Sequence, residues 1–229
     1  MSSEPDFFRV ARAQRACRVF SDEPVVDDLI ARVLEAATYA PSAENRQPWE
    51  FVVVRDPSRR AQIGALMARA WEQHGRAYSE GRLSPELFEE VDRGATSSIS
   101  AAPVLIVVAA DTTRCLPVTV PSSIFPALQN LLLAAGAVGL GSALTTIATA
   151  FADELRAAVD LPESVVPVAV VPLGFPAKPL GPSRRDPFTA HTHRDTYNTP
   201  WTPSPADVPS VAFRSLYDRN ATDGGTRPT

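Results

Sequence analysis

The stretch APSAENRQPWEFVVV, residues 40–54, joins three kinds of chain in one short span. Pro41 closes the helical pattern that precedes it, because a residue before proline is pushed out of the helical region. Phe51-Val-Val-Val54 is a continuous apolar run, the pattern of a strand covered on both faces. Between them Ser42, Glu44, Asn45, Arg46 and Gln47 make a polar loop, with Trp49 placed to anchor it from the core side. A plain helix-to-strand connection needs only a few polar residues. A fixed loop carrying hydroxyl and amide side chains, with free backbone N–H groups, offers donors and acceptors to a flat heterocycle.

The same two periods recur outward from this loop. Upstream, Leu29, Ile30, Val33, Leu34, Ala37 and Ala40 form one apolar stripe at helical spacing, with Asp27 or Asp28 as its cap. Residues 6–17 are helical by pattern and carry Arg9, Arg12, Arg15 and Arg18 at intervals of three, so that Arg15 and Arg18 share a helix face. Downstream, residues 57–80 return to the helical period, and Ser84-Pro85 opens a shorter helix, with serine as cap and proline in the first turn. Residues 103–109 (PVLIVVA) and 165–173 are two more buried strands. Residues 121–138 form a long helix that is apolar nearly all round and therefore central, and 151–159 form a short one. After Gly174 the composition turns to Pro, Arg, His and Thr without a period, the signature of an extended arm. Strong strands between irregularly placed helices predict a single α/β or α+β domain with a covered sheet.

The totals bound the function. At 229 residues, 45% hydrophobic and 21% charged, the chain is long and apolar enough for a substantial core. A net charge of −4 gives no general attraction to nucleic acid or to an anionic membrane. Lys178 is the one lysine among the basic residues, and the remainder are arginines, whose forked head suits phosphate and carboxylate. Cys17 and Cys115 lack CxxC spacing, and the start MSSEPDFF has no basic or long apolar leader. Residues 131–143 are apolar but short and broken by glycine. The expectation is a cytoplasmic protein with no nucleic-acid or membrane partner.

Several chemistries lose support residue by residue. His191 and His193 have no third ligand at metal-binding spacing and read as a surface pair. Gly136, Gly139 and Gly141 follow a helix and run GxxGxG, whereas a dinucleotide fingerprint needs GxGxxG between strand and helix. They read instead as a place where a helix end comes close to another backbone. Cys17 has no Cys/His motif around it and reads as a buried thiol. Arg15 and Arg18 at one end, and Arg184 and Arg185 between prolines at the other, are arginine clusters suited to a phosphate. Leu144-Thr145-Thr146 is a second small polar step between apolar elements.

Taken in order, these blocks resemble the FMN-dependent nitroreductase family over roughly residues 6–196. Gln14-Arg-Ala-Cys-Arg-Val-Phe20 is similar to that family's opening R-R-S-x-R-x-F. Phe20-Ser-Asp-Glu-Pro24 with its following helix and APSAENRQPW matches the next and most specific block. Ser123-Ile-Phe-Pro-Ala-Leu-Gln-Asn-Leu-Leu-Leu133 with Gly139-Leu-Gly141, then Val171-Pro-Leu-Gly174 and Arg185-Asp-Pro187, complete the set. The resemblance implies an α+β fold: a central mixed sheet covered by helices, in a homodimer whose C-terminal arm is exchanged. The FMN-binding domain would span residues 1–198, and the arm, partly disordered, residues 199–229.

By the same resemblance FMN is the cofactor, lying in the dimer interface, and NAD(P)H the electron donor. Arg15, Arg18 and Arg185 would hold the FMN phosphate. Pro41, Ser42 and Asn45 would line the flavin, and Gln47 would stand near the channel from the neighbouring subunit. Leu144, Thr145 and Thr146 would present backbone N–H groups to the reactive ring edge, and Ser123 and Pro126 would approach the other subunit's flavin. Gln14 and Ala16 depart from the motif and remove one charge and one hydroxyl, with Arg184 as the candidate substitute. The implied activity is an oxidoreductase passing hydride to an electron-poor small molecule, with no catalytic side chain or metal of its own because the flavin carries the chemistry. The alternatives are a flavin-dependent dehydrogenase or oxidase of a specialised metabolite, and a non-catalytic flavin-sequestering protein. The iodotyrosine deiodinase branch adds a lid, for which residues 71–92 are the candidate segment.

Overall fold

The computed structural model describes residues 7–181 and 183–201, which fall into two compact units divided between Ser183 and Arg184. In the first unit, four strands form one sheet in the order β1-β2-β4-β3: β1 (Trp49–Val54), β2 (Val104–Asp111), β3 (Gly141–Ser142) and β4 (Val165–Gly174). The expected mixed sheet is antiparallel at each of its strand pairs. Among the described residues, parallel pairing is confined to an isolated bridge between Ala16 and Ser142 on the outer edge.

β2 explains why the sheet is central. Val104 to Ala110 have no exposed surface, and their side chains alternate between two cores. Val104, Ile106, Val108 and Ala110 face one cluster with Ala169, Val171 and Leu173 of β4. Helices α2 (Asp27–Thr38) and α6 (Val120–Ala137) cover that side through Ile30, Val33, Ala37, Ile124, Leu128 and Leu131. Leu105 and Val107 face the opposite cluster with Val170 and Val54, covered by α3 (Pro57–Ala70) and α7 (Ala152–Ala158) through Ile63, Met67 and Leu155. Each such fully buried large side chain contributes roughly 1.5–3 kcal/mol. The long apolar helix is thus a core element of the folded chain: α6 keeps Ser123, Ile124, Ala127, Leu128, Leu131, Leu132 and Ala135 buried.

Local chemistry sets most element ends. Asp56 caps α3, its carboxylate accepting from Arg59 N–H at 2.9 Å, and Pro57 occupies the first turn. The short helix opened by Ser84-Pro85 is α5 (Pro85–Arg93), where Ser84 Oγ accepts from Leu87 N–H. Between α3 and α5, a π-helical turn at Trp71–Gly75 leads into α4 (Arg76–Ser79), and a second π-turn, Gly94–Ser98, follows α5. The candidate lid segment is therefore a helical hairpin, clipped where Trp71 Nε1–H donates to Asp92 Oδ1 at 2.8 Å.

Two expectations are corrected. Neither Asp27 nor Asp28 caps α2: the cap is Val26, with no side-chain bond, and Asp27 instead pairs with Arg55. The first helix, α1 (Phe7–Ala13), stops before Arg15. Arg15 and Arg18 are therefore not on a helix face but on extended chain. The reason is tertiary: Cys17 N–H donates to Ser142 O at 2.8 Å, which draws residues 16–17 alongside β3. Gly141 permits the approach, since a Cβ there would sit 2.7 Å from Cys17 Sγ.

The second unit, described from Arg184 to Trp201, holds a 3-10 turn at Phe188–His191 and a tight reversal in which His193 bridges Pro200. Phe188 packs edge-on against Trp201, and His193 against Tyr197. The expected arm, residues 199–229, lies outside the described residues from position 202 onward.

Candidate active site

The loop of residues 41–48 is rigid because its backbone is bonded from inside and from below. Ser42 Oγ accepts from Gln47 N–H at 2.9 Å, and Ser42 O accepts from Asn45 N–H at 3.0 Å. Pro48 O receives Asp111 N–H at 2.8 Å, and Trp49, 8% exposed, seats the loop's end in the core. From α6, Ser123 Oγ accepts the Ala43 N–H at 3.1 Å. These bonds hold an unfavourable path: Glu44, Asn45 and Gln47 lie in the left-handed region, with φ of 53°, 53° and 49°. That conformation costs an L-residue roughly 1–2 kcal/mol each, so the loop keeps it only under restraint.

The result is an exposed, pre-shaped polar edge. Gln47 Nε2 leans on Asn45 Oδ1 at 3.3 Å, leaving Asn45 Nδ2 as a donor and Gln47 Oε1 as an acceptor without partners among the described residues. Pro41, Asn45 and Gln47 are exposed and Ser42 is half-buried. Ser123 is fully buried, and its hydroxyl props the loop from beneath.

Leu144, Thr145 and Thr146 continue from β3 along the sheet's other edge. Thr145 exchanges both backbone bonds with Val170, at 3.0 and 2.8 Å. In such a pair the flanking residues point their N–H groups away from the partner strand. Leu144 and Thr146, both exposed, thus direct backbone donors outward, while Thr145 is buried and structural.

Arg15 and Arg18 lie on the same edge, since Ala16 bridges Ser142. They line a cleft of about 280 Å³ with Lys178, Gly181 and the α5 residues Glu86, Glu89, Glu90 and Arg93. Gly181 lies against the head of Arg15, 3.2 Å from a built Cβ to Nη1. Arg18 donates to Glu90 at 2.8 Å. Gln14 lines a separate cleft with Arg9, Val10 and Leu140. Beneath the arginines, burial raises the Cys17 thiol above its ordinary value, and the thiol donates to Val19 O. Arg184 and Arg185 are exposed in the second unit, where Arg185 Nη1 donates to Arg184 O.

The predicted site residues thus separate into two groups. Arg15, Arg18 and residues 144–146 share the β3 edge, while the 41–48 loop ends at β1. With the order β1-β2-β4-β3 and strand spacings of 4.7–4.9 Å, the edges are about 14 Å apart. Glu90, which meets Arg18, and Lys178, Glu86 and Glu89, which line the same cleft, escaped the sequence reading because only the fold brings them together; an acidic run opposite an arginine-rich opening was the one available signal.

Residues 11–175 match the Nitroreductase family. The chain belongs to that family. It is 31% identical over 189 residues to a Methanothermobacter thermautotrophicus protein provisionally named as an NADH dehydrogenase/NAD(P)H nitroreductase, covering 81% of this chain and 84% of the relative. It is also 31% identical over 189 residues to an iodotyrosine deiodinase of Haliscomenobacter hydrossis, covering 78% and 82%. A solved Desulfitobacterium hafniense nitroreductase with bound FMN superposes with a TM-score of 0.62 at 26% identity, covering 81% of this chain and 96% of that one. This nitroreductase-family chain is accordingly an oxidoreductase by kinship.

Proposed function

We propose that the protein is an FMN-dependent oxidoreductase that passes hydride from NAD(P)H to an electron-poor acceptor such as a nitroaromatic, quinone or activated alkene, acting as a cytoplasmic homodimer. The observation that carries the reading is the braced, left-handed 41–48 loop, whose free amide donor and acceptor form a fixed polar edge.

The donor set fits the group. FMN has an anionic tail and a flat ring with a polar rim. Arg15, Arg18 and Arg185 are guanidinium groups suited to the tail by directional, charge-assisted bonds. Asn45 and Gln47 offer hydrogen bonds to the ring's rim. Leu144 and Thr146 hold backbone N–H groups outward at an edge, where a fixed donor favours negative charge developing on a ring nitrogen. Trp49 and Ser123 keep the loop from relaxing around an empty position. When bound, FMN supplies acceptance of hydride from a nicotinamide and its delivery to the acceptor. The side chains bind, orient and shield; none is required to shuttle the hydride.

The separation of the two groups favours a two-chain site, in which the loop of one subunit faces the β3 edge of the other. The exposed side of α6 carries Phe125, 39% exposed, beside Ser122 and Gln129, a mixed surface of the kind found at subunit interfaces.

The test is spectroscopic. Purified protein, or protein reconstituted with FMN, is expected to be yellow and to bleach under anaerobic NADH or NADPH. A protein that takes up no FMN overturns the cofactor assignment. A yellow protein that resists both nicotinamides overturns the donor assignment and favours the flavin-storing or oxidase alternatives.

A further inference from the structure

Resting on that cofactor reading, we infer that Glu90 sets how tightly the arginine cleft takes the anionic cofactor: it positions the Arg18 guanidinium while cancelling most of its charge. Glu90 and Gly94 stand four residues apart, on one face of the helical path from α5 into the following π-turn. Both meet Arg18. Glu90 Oε1 receives its Nη1 at 2.8 Å, and Gly94 packs against its stem so closely that a Cβ would lie 2.9 Å from Cδ. Arg18 is thus held at head and stem by a single element, with its side chain 22% exposed.

The charges around it are nearly balanced. Arg15, Arg18, Arg93 and Lys178 face Glu86, Glu89 and Glu90, and Arg93 is itself paired with Glu89 at 2.7 Å. A guanidinium held by a carboxylate keeps its free N–H groups for a second acceptor, but contributes little net attraction to an arriving phosphate. Glu90 therefore has opposed effects, orienting the donor and repelling the anion. At a partly exposed site the two are of comparable size, and the conservative amide separates them because glutamine retains the acceptor oxygen and removes the charge.

The experiment is an FMN titration of the full chain, followed by flavin fluorescence quenching at low and high salt, with thermal melts to confirm the fold. Relative to wild type, Glu90→Gln is expected to tighten FMN binding about three- to tenfold at low salt and to steepen its salt dependence. Arg18→Ala is expected to weaken binding, and the gain from Glu90→Gln is expected to vanish in the Arg18→Ala background, a coupling that a merely structural glutamate does not produce. Glu90→Ala, which also releases the guanidinium, is expected to gain less than Glu90→Gln. If wild type binds FMN but Glu90→Gln changes the affinity by less than twofold, or if the gain survives without Arg18, the inference is overturned and the cofactor assignment stands. If wild type binds no FMN, both fall.

Discussion

The hydroxyl of Ser123 makes the support of the 41–48 loop open to measurement. It has no exposed surface, and it accepts the Ala43 N–H from α6 at 3.1 Å. Ser123→Ala leaves that amide without its acceptor, at a cost of about 1–3 kcal/mol for a group shut away from water. Against this, alanine in a helix interior recovers roughly half a kcal/mol of propensity. Ala43 is half-buried, so water reaches it in part and the lower half of the range applies. The net loss is about 0.5–1.5 kcal/mol, which for a domain of this size lowers Tm by roughly 1–6 °C. Hydrogen exchange gives the local readout. Amides of residues 43–47 are expected to exchange faster, because three left-handed residues lose part of their restraint, while β2 amides at 104–110 keep their protection until global unfolding. A Tm within one degree of wild type together with unchanged loop exchange would refute the claim that Ser123 braces the loop.

Other expectations follow from close approach and burial. Gly174→Ala places a Cβ 2.8 Å from Cδ and Cγ of Pro103 and 3.1 Å from the Phe20 ring, neither of which can swing away. The overpacking is expected to cost about 1–3 kcal/mol in denaturant melts, and a neutral result would show that the β4 end yields more easily than its neighbours imply. Cys17 has a raised thiol pKa, caused first by burial. A raised folded-state value means that the thiol's contribution to stability is intact below its ordinary 9.0 and is lost as pH rises through the folded value. Comparing wild type with Cys17→Ala across alkaline pH is expected to show wild type losing its advantage only there; a difference that does not change with pH would contradict the assignment.

Much of the architecture was legible in the chain itself. Val104 to Ala110 and the odd residues 169–173 of β4 are apolar runs that only a sheet covered on both faces accommodates. The stripe of α2, the cap signal Ser84-Pro85, and the polar loop before Trp49 are local patterns, set by periodicity and backbone sterics over a few residues. The loop's part in the candidate site was legible for the same reason, since its chemistry is contiguous in sequence.

What the tertiary structure decided are pairings between distant residues. The period of three in Arg9, Arg12, Arg15 and Arg18 reads as continuing helix, but Ser142 O takes the Cys17 N–H and the chain runs extended from that point. Helical propensity is a weak preference spread over many residues, and a sheet edge that fixes one strand and satisfies its amides overrides it. Glu90 meets Arg18 across 72 positions and Ser123 meets Ala43 across 80. Which of several carboxylates faces an arginine, and which hydroxyl lies under a loop, depend on how helices pack on the sheet. Sequence spacing carries no trace of that choice, because the contact energy exists only once the core has closed.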